Sequence, residues 1–222
     1  MLIQGDIHDI IKTISTNSID LIYTNPPFGI TNKKWDKKLD WDLLWPEIWR
    51  VLKPTGIAVI HASMPFTYDL IRSQKPRYHY TWIKNNSTNF FNVKYQPLRK
   101  HEEILIFYKK SGTYNPQMIG DKIIKEDKAR KSTYYNNNSK TKYENKHTVH
   151  VGNYPTTVLS FPSVIRGGKT ISDKMIEYFI KTYSMETDTI LDMSCHSNIV
   201  SKLVENLNRK YIGVDINPIN YT

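Results

Sequence analysis

The sequence predicts a doubly wound α/β domain with a mostly parallel sheet, interrupted by a basic insertion. Three observations predict it. Short apolar runs stop at turn residues, with room for helices between them. The last part of the chain reads strand, helix, strand at the length of a βαβ unit. A long stretch before it loses all apolar period while keeping its lysines.

Taken in order, Ile19 to Thr24 is an apolar run stopped by Asn25-Pro26-Pro27, a buried strand closed by prolines. Trp41, Leu44, Trp45, Ile48, Trp49 and Leu52 recur at helical spacing. Pro46 complicates the first part of this stripe and fits a first helical turn, where its missing N–H costs nothing. Pro54 and Gly56 end the helix, and Ile57 to His61 makes a second buried strand. Tyr80 to Ile83 and Ile104 to Tyr108 make two more. From Lys109 to Tyr154 no period survives, which predicts a long exposed insertion, partly mobile; such loops are uncommon in compact domains and often functional. Ser172 to Tyr183 reads as a helix capped by Ser172. Thr189 to Asp192, Ser197 to Leu207 and Tyr211 to Ile216 form the βαβ unit. The expected organisation is one domain over residues 1–222, with the inserted loop at about 110–153.

Composition narrows the function. A chain of 222 residues with 39% hydrophobic and 12% aromatic content can bury a core and is not a disordered chain. Its formal charge of +10 favours a polyanionic partner, although a lysine-rich proteome gives the same total. Cys195 is the single cysteine, so neither an internal disulfide nor a cysteine cluster for zinc can form, and a reducing compartment is expected. The opening MLIQGDIHDI has no secretory pattern, and no apolar run has the length to span a bilayer. A cytoplasmic protein without a membrane partner is expected.

The chemistry concentrates at Thr24-Asn25-Pro26-Pro27-Phe28-Gly29. Here an amide oxygen, a proline carbonyl and an aromatic ring follow a strand on a stiff turn. The Asn25 oxygen and the Pro26 carbonyl can each accept one N–H of a planar exocyclic amine, and the Phe28 ring can stack on the base that carries it. With both protons held, the nitrogen lone pair is free to meet an incoming methyl group. A proline-stiffened turn with a core phenylalanine fits these residues equally well, and the motif alone does not choose.

The stretch resembles the Asp/Asn/Ser-Pro-Pro-Tyr/Phe motif of amino-group DNA methyltransferases. The likeness continues in Ile3-Gln4-Gly5-Asp6, Asn17 to Ile22, Gly29 to Asp36, Arg50 to Gly56, Gln96 to Glu102 and Tyr154 to Leu159, the last two similar to members with adenine targets. Asp192 to Asn217 matches the family's cofactor-binding βαβ by position, and only about 115–150 falls outside the likeness. The catalytic motif precedes the cofactor motif, as in the family's permuted β arrangement. The resemblance implies a sheet of the S-adenosylmethionine-dependent methyltransferase type, S-adenosyl-L-methionine as cofactor, no metal, and double-stranded DNA as partner. It implies catalytic roles for Asn25, Pro26, Pro27 and Phe28. For the cofactor it implies Asp6, Lys169, Thr170, Asp192, Ser194, His196, Asn198 and Asp215. The oligomeric state stays open, a dimer being compatible.

This chain departs from the family on the donor side. A loop that usually reads Asp-Pro-Phe-x-Gly-Ser-Gly is here Asp192-Met193-Ser194-Cys195-His196-Ser197-Asn198. Both glycines are replaced, which predicts a strained loop and weakened or lost donor binding. The family's His-Pro-Thr-Gln-Lys-Pro segment has no recognisable equivalent near Gly167 to Ser172. Cys195 beside His196 is not read as a nucleophile pair, because neighbouring side chains rarely face each other. His147 and His150 lack further ligands for a metal.

For DNA the expected contacts are Lys33, Lys34, Arg99, Lys100, Lys122, Lys125, Arg130, Lys131, Lys140 and Lys142. The insertion interleaves its own members of this set, from Lys122 to Lys142, with Tyr134, Tyr135 and Asn136 to Asn138, which can stack on or read bases; a solvated polar loop is the plain alternative. The expected function is site-specific methylation of adenine N6, by base flipping. A catalytically impaired DNA-binding relative and a cytosine-N4 enzyme are the alternatives. Adenine is preferred because cytosine-N4 members usually carry serine at the Asn25 position.

Overall fold

A computed structural model describes residues 1–126, 148–164, 171–196 and 198–218. The chain divides into two compact units, Met1–Asn115 with Thr157–Thr222, and Pro116–Thr156. The large unit runs β1 (Leu2–Gln4), α1 (Ile7–Thr13), β2 (Ile19–Thr24), α2 (Trp41–Val51), β3 (Leu52–Ala62), α3 (Phe66–Ser73), β4 (Tyr78–Thr88) and β5 (Arg99–Phe107). The small unit holds β6 (Ile119–Glu126) and β7 (Thr148–Asn153). The chain then returns to the large unit with β8 (Val158–Ser160), α4 (Asp173–Tyr183), β9 (Thr189–Asp192), α5 (Ile199–Asn206) and β10 (Lys210–Asp215).

Eight strands of the large unit form one sheet in the order β1-β10-β9-β2-β3-β5-β4-β8. β5 is antiparallel to both its neighbours and every other pairing is parallel. The period of two along the strands separates two cores. Ile22, Ile60, Leu105, Phe107, Leu191 and Val214 pack under α1, α2 and α3. Leu21, Tyr23, Val59, Ile104, Ile106 and Ile190 pack under α4 and α5. Helices on both faces of a mostly parallel sheet make the doubly wound fold that the sequence predicted.

Local chemistry explains the boundaries and several corrections. α2 begins at Trp41, where the Asp40 carboxylate accepts the Leu43 N–H, so Pro46 lies inside the helix and not in its first turn. The helix tolerates it because Pro46 and Asp42 are both exposed, and the carbonyl that loses its partner faces water. Pro54 and Gly56 do not end the helix; it ends at Val51. They sit where β3 jumps register against β2, between the pairs Ile19–Leu52 and Leu21–Ile57. Ser172 precedes α4, but its hydroxyl is buried and caps nothing.

The stretch read as an aperiodic insertion carries strands at both ends, because β6 and β7 pair antiparallel as a ribbon of their own. Ile119, Ile123 and Val151 are exposed, so these apolar residues make no buried face, and no alternating pattern announced the ribbon. Gly152, at φ +85°, meets the Ile119 and Gly120 carbonyls so closely that a Cβ would collide with them.

Candidate functional site

Parallel strands deliver their carboxyl ends to one edge, and that edge is where ligands bind in open α/β sheets. β2 pairs with β9 through Leu21–Ile190 and Ile22–Leu191, so the turn at Asn25 and the loop after Asp192 leave the edge side by side. Next to them β10 ends at Asp215 and β1 leads into Asp6. Sequence reading named residues at all four strand ends, and the fold brings them to one edge.

On the β2 side Asn25 is exposed, and no hydrogen bond among the described residues engages its amide. Pro26 is buried and Pro27 half-buried, which anchors the turn. Phe28 is half-buried and stacks on Phe66 at 5.4 Å between centroids and 17° between planes. One ring face therefore belongs to the core, a contact that the motif reading left open.

The organiser of this turn is Asp36, to which sequence reading gave no role. Its carboxylate accepts the N–H groups of Gly29, Ile30 and Thr31 at 2.7, 3.0 and 2.7 Å, and the Thr31 hydroxyl at 2.7 Å. Burial alone pushes this carboxyl up, but the Thr31 hydroxyl and the three N–H groups together hold it below the usual carboxylate range. Gly29 lies at φ +65°, and a Cβ there would run into the Lys38 side chain. The available signal was an acid seven residues beyond a glycine turn, with a mainly polar stretch between.

The β9 side is organised differently. Asp192 is buried, accepts the Ser194 N–H at 3.1 Å and the Tyr211 hydroxyl at 3.2 Å, and pairs with no Lys or Arg among the described residues. Burial pushes its pKa up to about 6 against the opposing pull of those bonds. The buried Thr24 hydroxyl lies beside it and eases the shift, without forming a well-aligned hydrogen bond to any described residue. His196 is exposed and stands at φ +51°, the left-handed region that favours glycine, the residue the resemblance led one to expect here. Asn198 does not share the strain: its φ is −81°, at the N-cap of α5, which corrects the expectation that both replacements distort the loop.

The flanking acids are occupied. Asp215 accepts the His196 N–H at 2.8 Å and the Asn217 N–H at 2.9 Å. Asp6 caps α1, accepting the His8 N–H at 2.9 Å and lying 2.7 Å from His8 Nδ1; the backbone bond is the main reason its pKa is lowered. Cys195 is buried, and burial pushes its thiol up to about 12, so it stays protonated and is no nucleophile. Lys169 and Thr170 lie outside the described residues.

Lys33 and Lys34 are exposed on the loop braced by Asp36, Lys100 is exposed at the start of β5, and Lys122 is exposed on β6. Arg99 is half-buried and donates to the Ser63 hydroxyl at 3.3 Å. Lys125 belongs to β6, whereas Arg130, Lys131, Lys140 and Lys142 lie outside the described residues. Beyond the sequence expectations, Lys84 and Glu102 form a buried ion pair of 2.7 Å across β4 and β5. Among the described residues no cluster of His, Cys, Asp and Glu could hold a metal, and no helix is long and apolar enough to cross a membrane.

Known proteins match this arrangement. The family model for N6/N4 DNA methylases matches residues 19–221. Type II methyltransferase M.HpaI of Haemophilus parainfluenzae is 28% identical over 228 residues, which is 93% of this chain and 67% of that protein. Type II methyltransferase M.BglII of Bacillus subtilis is 25% identical over 240 residues, 96% of this chain and 64% of its own. The chain thus spans about two thirds of the length of these relatives. Among solved structures, the cytosine-N4-specific PvuII DNA methyltransferase superposes with a TM-score of 0.68 at 15% identity, covering 98% of this chain and 82% of its own. The complex of M1.HpyAVI with S-adenosylmethionine does so with 0.59 at 18%, covering 98% and 92%. At such identities these structures establish the fold.

Proposed function

Because the chain belongs to the N6/N4 DNA methylase family, we propose that it transfers a methyl group from S-adenosyl-L-methionine to the exocyclic amine of a base in duplex DNA, with adenine N6 as the target. The observation that carries this reading is the pairing of β2 with β9, which sets an unengaged Asn25 amide beside the Asp192 loop.

The donor supplies an electrophilic methyl group and carries positive charge. The edge offers it, among the described residues, a buried carboxylate without a cation at Asp192 with the buried Thr24 hydroxyl beside it, chemistry that fits a cationic ligand rich in donors. Asp215 and Asp6 would serve its hydroxyl and amino groups by sharing the bonds they now make within the chain. Ser194, His196 and Asn198 would line the same loop.

A target base leaves the duplex stack to reach such a site. Asn25 Oδ1 and the Pro26 carbonyl take the two N–H groups of its amine, which points the nitrogen lone pair away from them. Phe28, fixed on Phe66, bounds the base pocket with its remaining surface. Asp36 fixes the loop carrying Lys33 and Lys34, which meet phosphates. The chain's contribution is positioning, with no covalent intermediate on the protein. We assign target recognition to the insertion at about 110–153, with Lys122, Lys125, Arg130, Lys131, Lys140 and Lys142, and backbone contacts to Arg99 and Lys100.

The test is to incubate the protein with mixed-sequence duplex DNA and methyl-labelled donor, digest to nucleosides and identify the labelled one. N6-methyladenine is expected; N4-methylcytosine would move the target to the amine that the PvuII enzyme's name specifies. One observation favours a second reading, a DNA-binding protein that no longer methylates. His196 sits in a left-handed conformation and its N–H occupies Asp215. Calorimetry with the donor separates the two, since only the enzyme needs to bind it.

A further inference from the structure

The connection from β4 to β5 leaves the sheet at the same edge as Asn25, because β4 runs parallel to β3 and β3 to β2. It presents three aromatic rings to solvent: Phe91 is 101% exposed, Tyr95 88% and Phe90 62%. Isolated exposed apolar side chains are ordinary, but two phenylalanines and a tyrosine on one short turn are not.

The turn is built without using the rings. Asn89 adopts φ 74°, and the Asn92 amide donates to Asn89 Oδ1 at 3.0 Å. The backbone N–H groups of Asn92, Val93, Tyr95 and Gln96 all find carbonyls within the turn. The hydrogen bonds fix the backbone, and the rings are left outside it. Lys94 lies within the turn, Arg99 and Lys100 open the strand that follows it, and no acid occurs from Asn85 to His101. The next acids along the chain are Glu102, which is buried and paired with Lys84, and Glu103, which accepts the Thr67 hydroxyl and lies 3.4 Å from His101 Nε2.

A face that combines flat rings with uncompensated positive charge complements a chain that combines flat bases with phosphates. Its place on the edge that holds Asn25 says which bases. Extruding one base leaves a gap in the stack and an unpaired partner, and an inserted ring offsets part of that loss. We propose that the β4–β5 turn is an aromatic wedge, with Phe90, Phe91 and Tyr95 stacking on bases unpaired at the target while Lys94, Arg99 and Lys100 hold the flanking phosphates. This inference rests on the proposed DNA methylation.

The test compares fluorescence anisotropy on a perfect duplex with that on the same duplex bearing a central bubble of mispaired bases. The full chain is used, as wild type and as Phe90→Ala/Phe91→Ala/Tyr95→Ala. The wild type is expected to prefer the bubble by on the order of tenfold, about 1.4 kcal/mol. The variant loses that preference while keeping its perfect-duplex affinity and salt slope within about twofold. Because the rings are exposed, the melting temperature stays unchanged. A separate Phe91→Trp variant gives a direct reading that needs no truncation: its added fluorescence is quenched by the bubble and not by the perfect duplex. A bubble preference equal in wild type and triple variant overturns the wedge alone. Failure of the wild type to bind either DNA overturns the wedge together with the methylation reading. Wild-type self-association, or binding to anionic phosphatidylserine vesicles, that the triple variant loses without any change on DNA assigns the rings to a second copy or a lipid surface and overturns the wedge.

Discussion

The two sides of the sheet edge use the same device to opposite ends. On the β2 side a buried acid, Asp36, gathers three backbone N–H groups and a hydroxyl, and so holds a loop that leaves Asn25 unengaged. On the β9 side the acids at Asp215 and Asp6 gather backbone N–H groups too, but these are the acids proposed to serve the donor. A carboxylate that collects N–H groups braces a site when it is not itself a ligand, and competes with the ligand when it is. The amine half of this site is preorganised; the donor half is tied to its own chain.

The sharpest break of that contrast is Asn25→Ala. If the amine half works as argued, methyl transfer falls more than a hundredfold, the scale seen when one preorganised polar group is removed from a reacting centre. Affinity for duplex DNA stays within about twofold, because Asn25 meets a base and not phosphates. Single-turnover labelling beside an anisotropy titration checks both. Retained methyl transfer would remove Asn25 from the chemistry.

Asp36→Ala removes the brace and leaves four donors of one loop without their acceptor. A loss of about 2–4 kcal/mol of stability is expected from the hydrogen bonds to a charged group. Methyl transfer should fall on the order of tenfold or more, and donor affinity should not change. Denaturant melts, protease cleavage within residues 29–36 and calorimetry read these outcomes. Donor affinity that falls with the brace would mean that the two halves are not separate.

How much of this was legible follows from where the information lies. β2 and the turn after it could be read because an apolar run and two prolines are local signals. The neighbourhood of Asn25 and Asp192 became an expectation only through resemblance; nothing within either segment encodes the β2–β9 pairing. The positive φ at His196 was anticipated from the missing glycine, yet the same argument failed at Asn198, since substitution patterns do not say which of two glycines carries the left-handed turn. Asp36 went unassigned because a side chain that accepts backbone N–H groups leaves no apolar period. β6 and β7 were missed for the same reason, since Ile119, Ile123 and Val151 are exposed and give no apolar period.

His196→Gly tests the strain directly. Glycine takes φ +51° without penalty, so stability should rise by about 1 kcal/mol, and removal of the Cβ from the backbone's approach to the donor should raise donor affinity about fivefold. Asn198→Gly should give no gain, its backbone being unstrained, and a small loss of stability in the first turn of α5. Calorimetry on the two single variants orders them. Micromolar binding by the wild type, unimproved in His196→Gly, would show the donor half to be as well prepared as the amine half.

The smallest effect is the most specific. Asp192 has a pKa of about 6 in the folded chain against an ordinary 3.8. The folded state therefore holds its proton more tightly than the unfolded one. Its contribution to stability is fully present below the ordinary value and is lost as pH rises through about 6. Donor binding has the opposite sign, because only the ionised carboxylate complements a cation. Between pH 7 and pH 6 the ionised fraction falls from about nine tenths to one half, so donor affinity should fall about twofold while the fold gains stability. Binding near pH 6 should also release a proton, visible as a calorimetric heat that changes with the buffer's ionisation enthalpy. His61 does not confuse the reading, since burial lowers its pKa to about 3 and keeps it neutral throughout. Asp192→Asn retains an oxygen for the Ser194 N–H but cannot titrate, so its donor affinity should be weaker and flat across this range. A slope that survives in Asp192→Asn would assign the titration to another group and leave the buried acid without a role in donor binding.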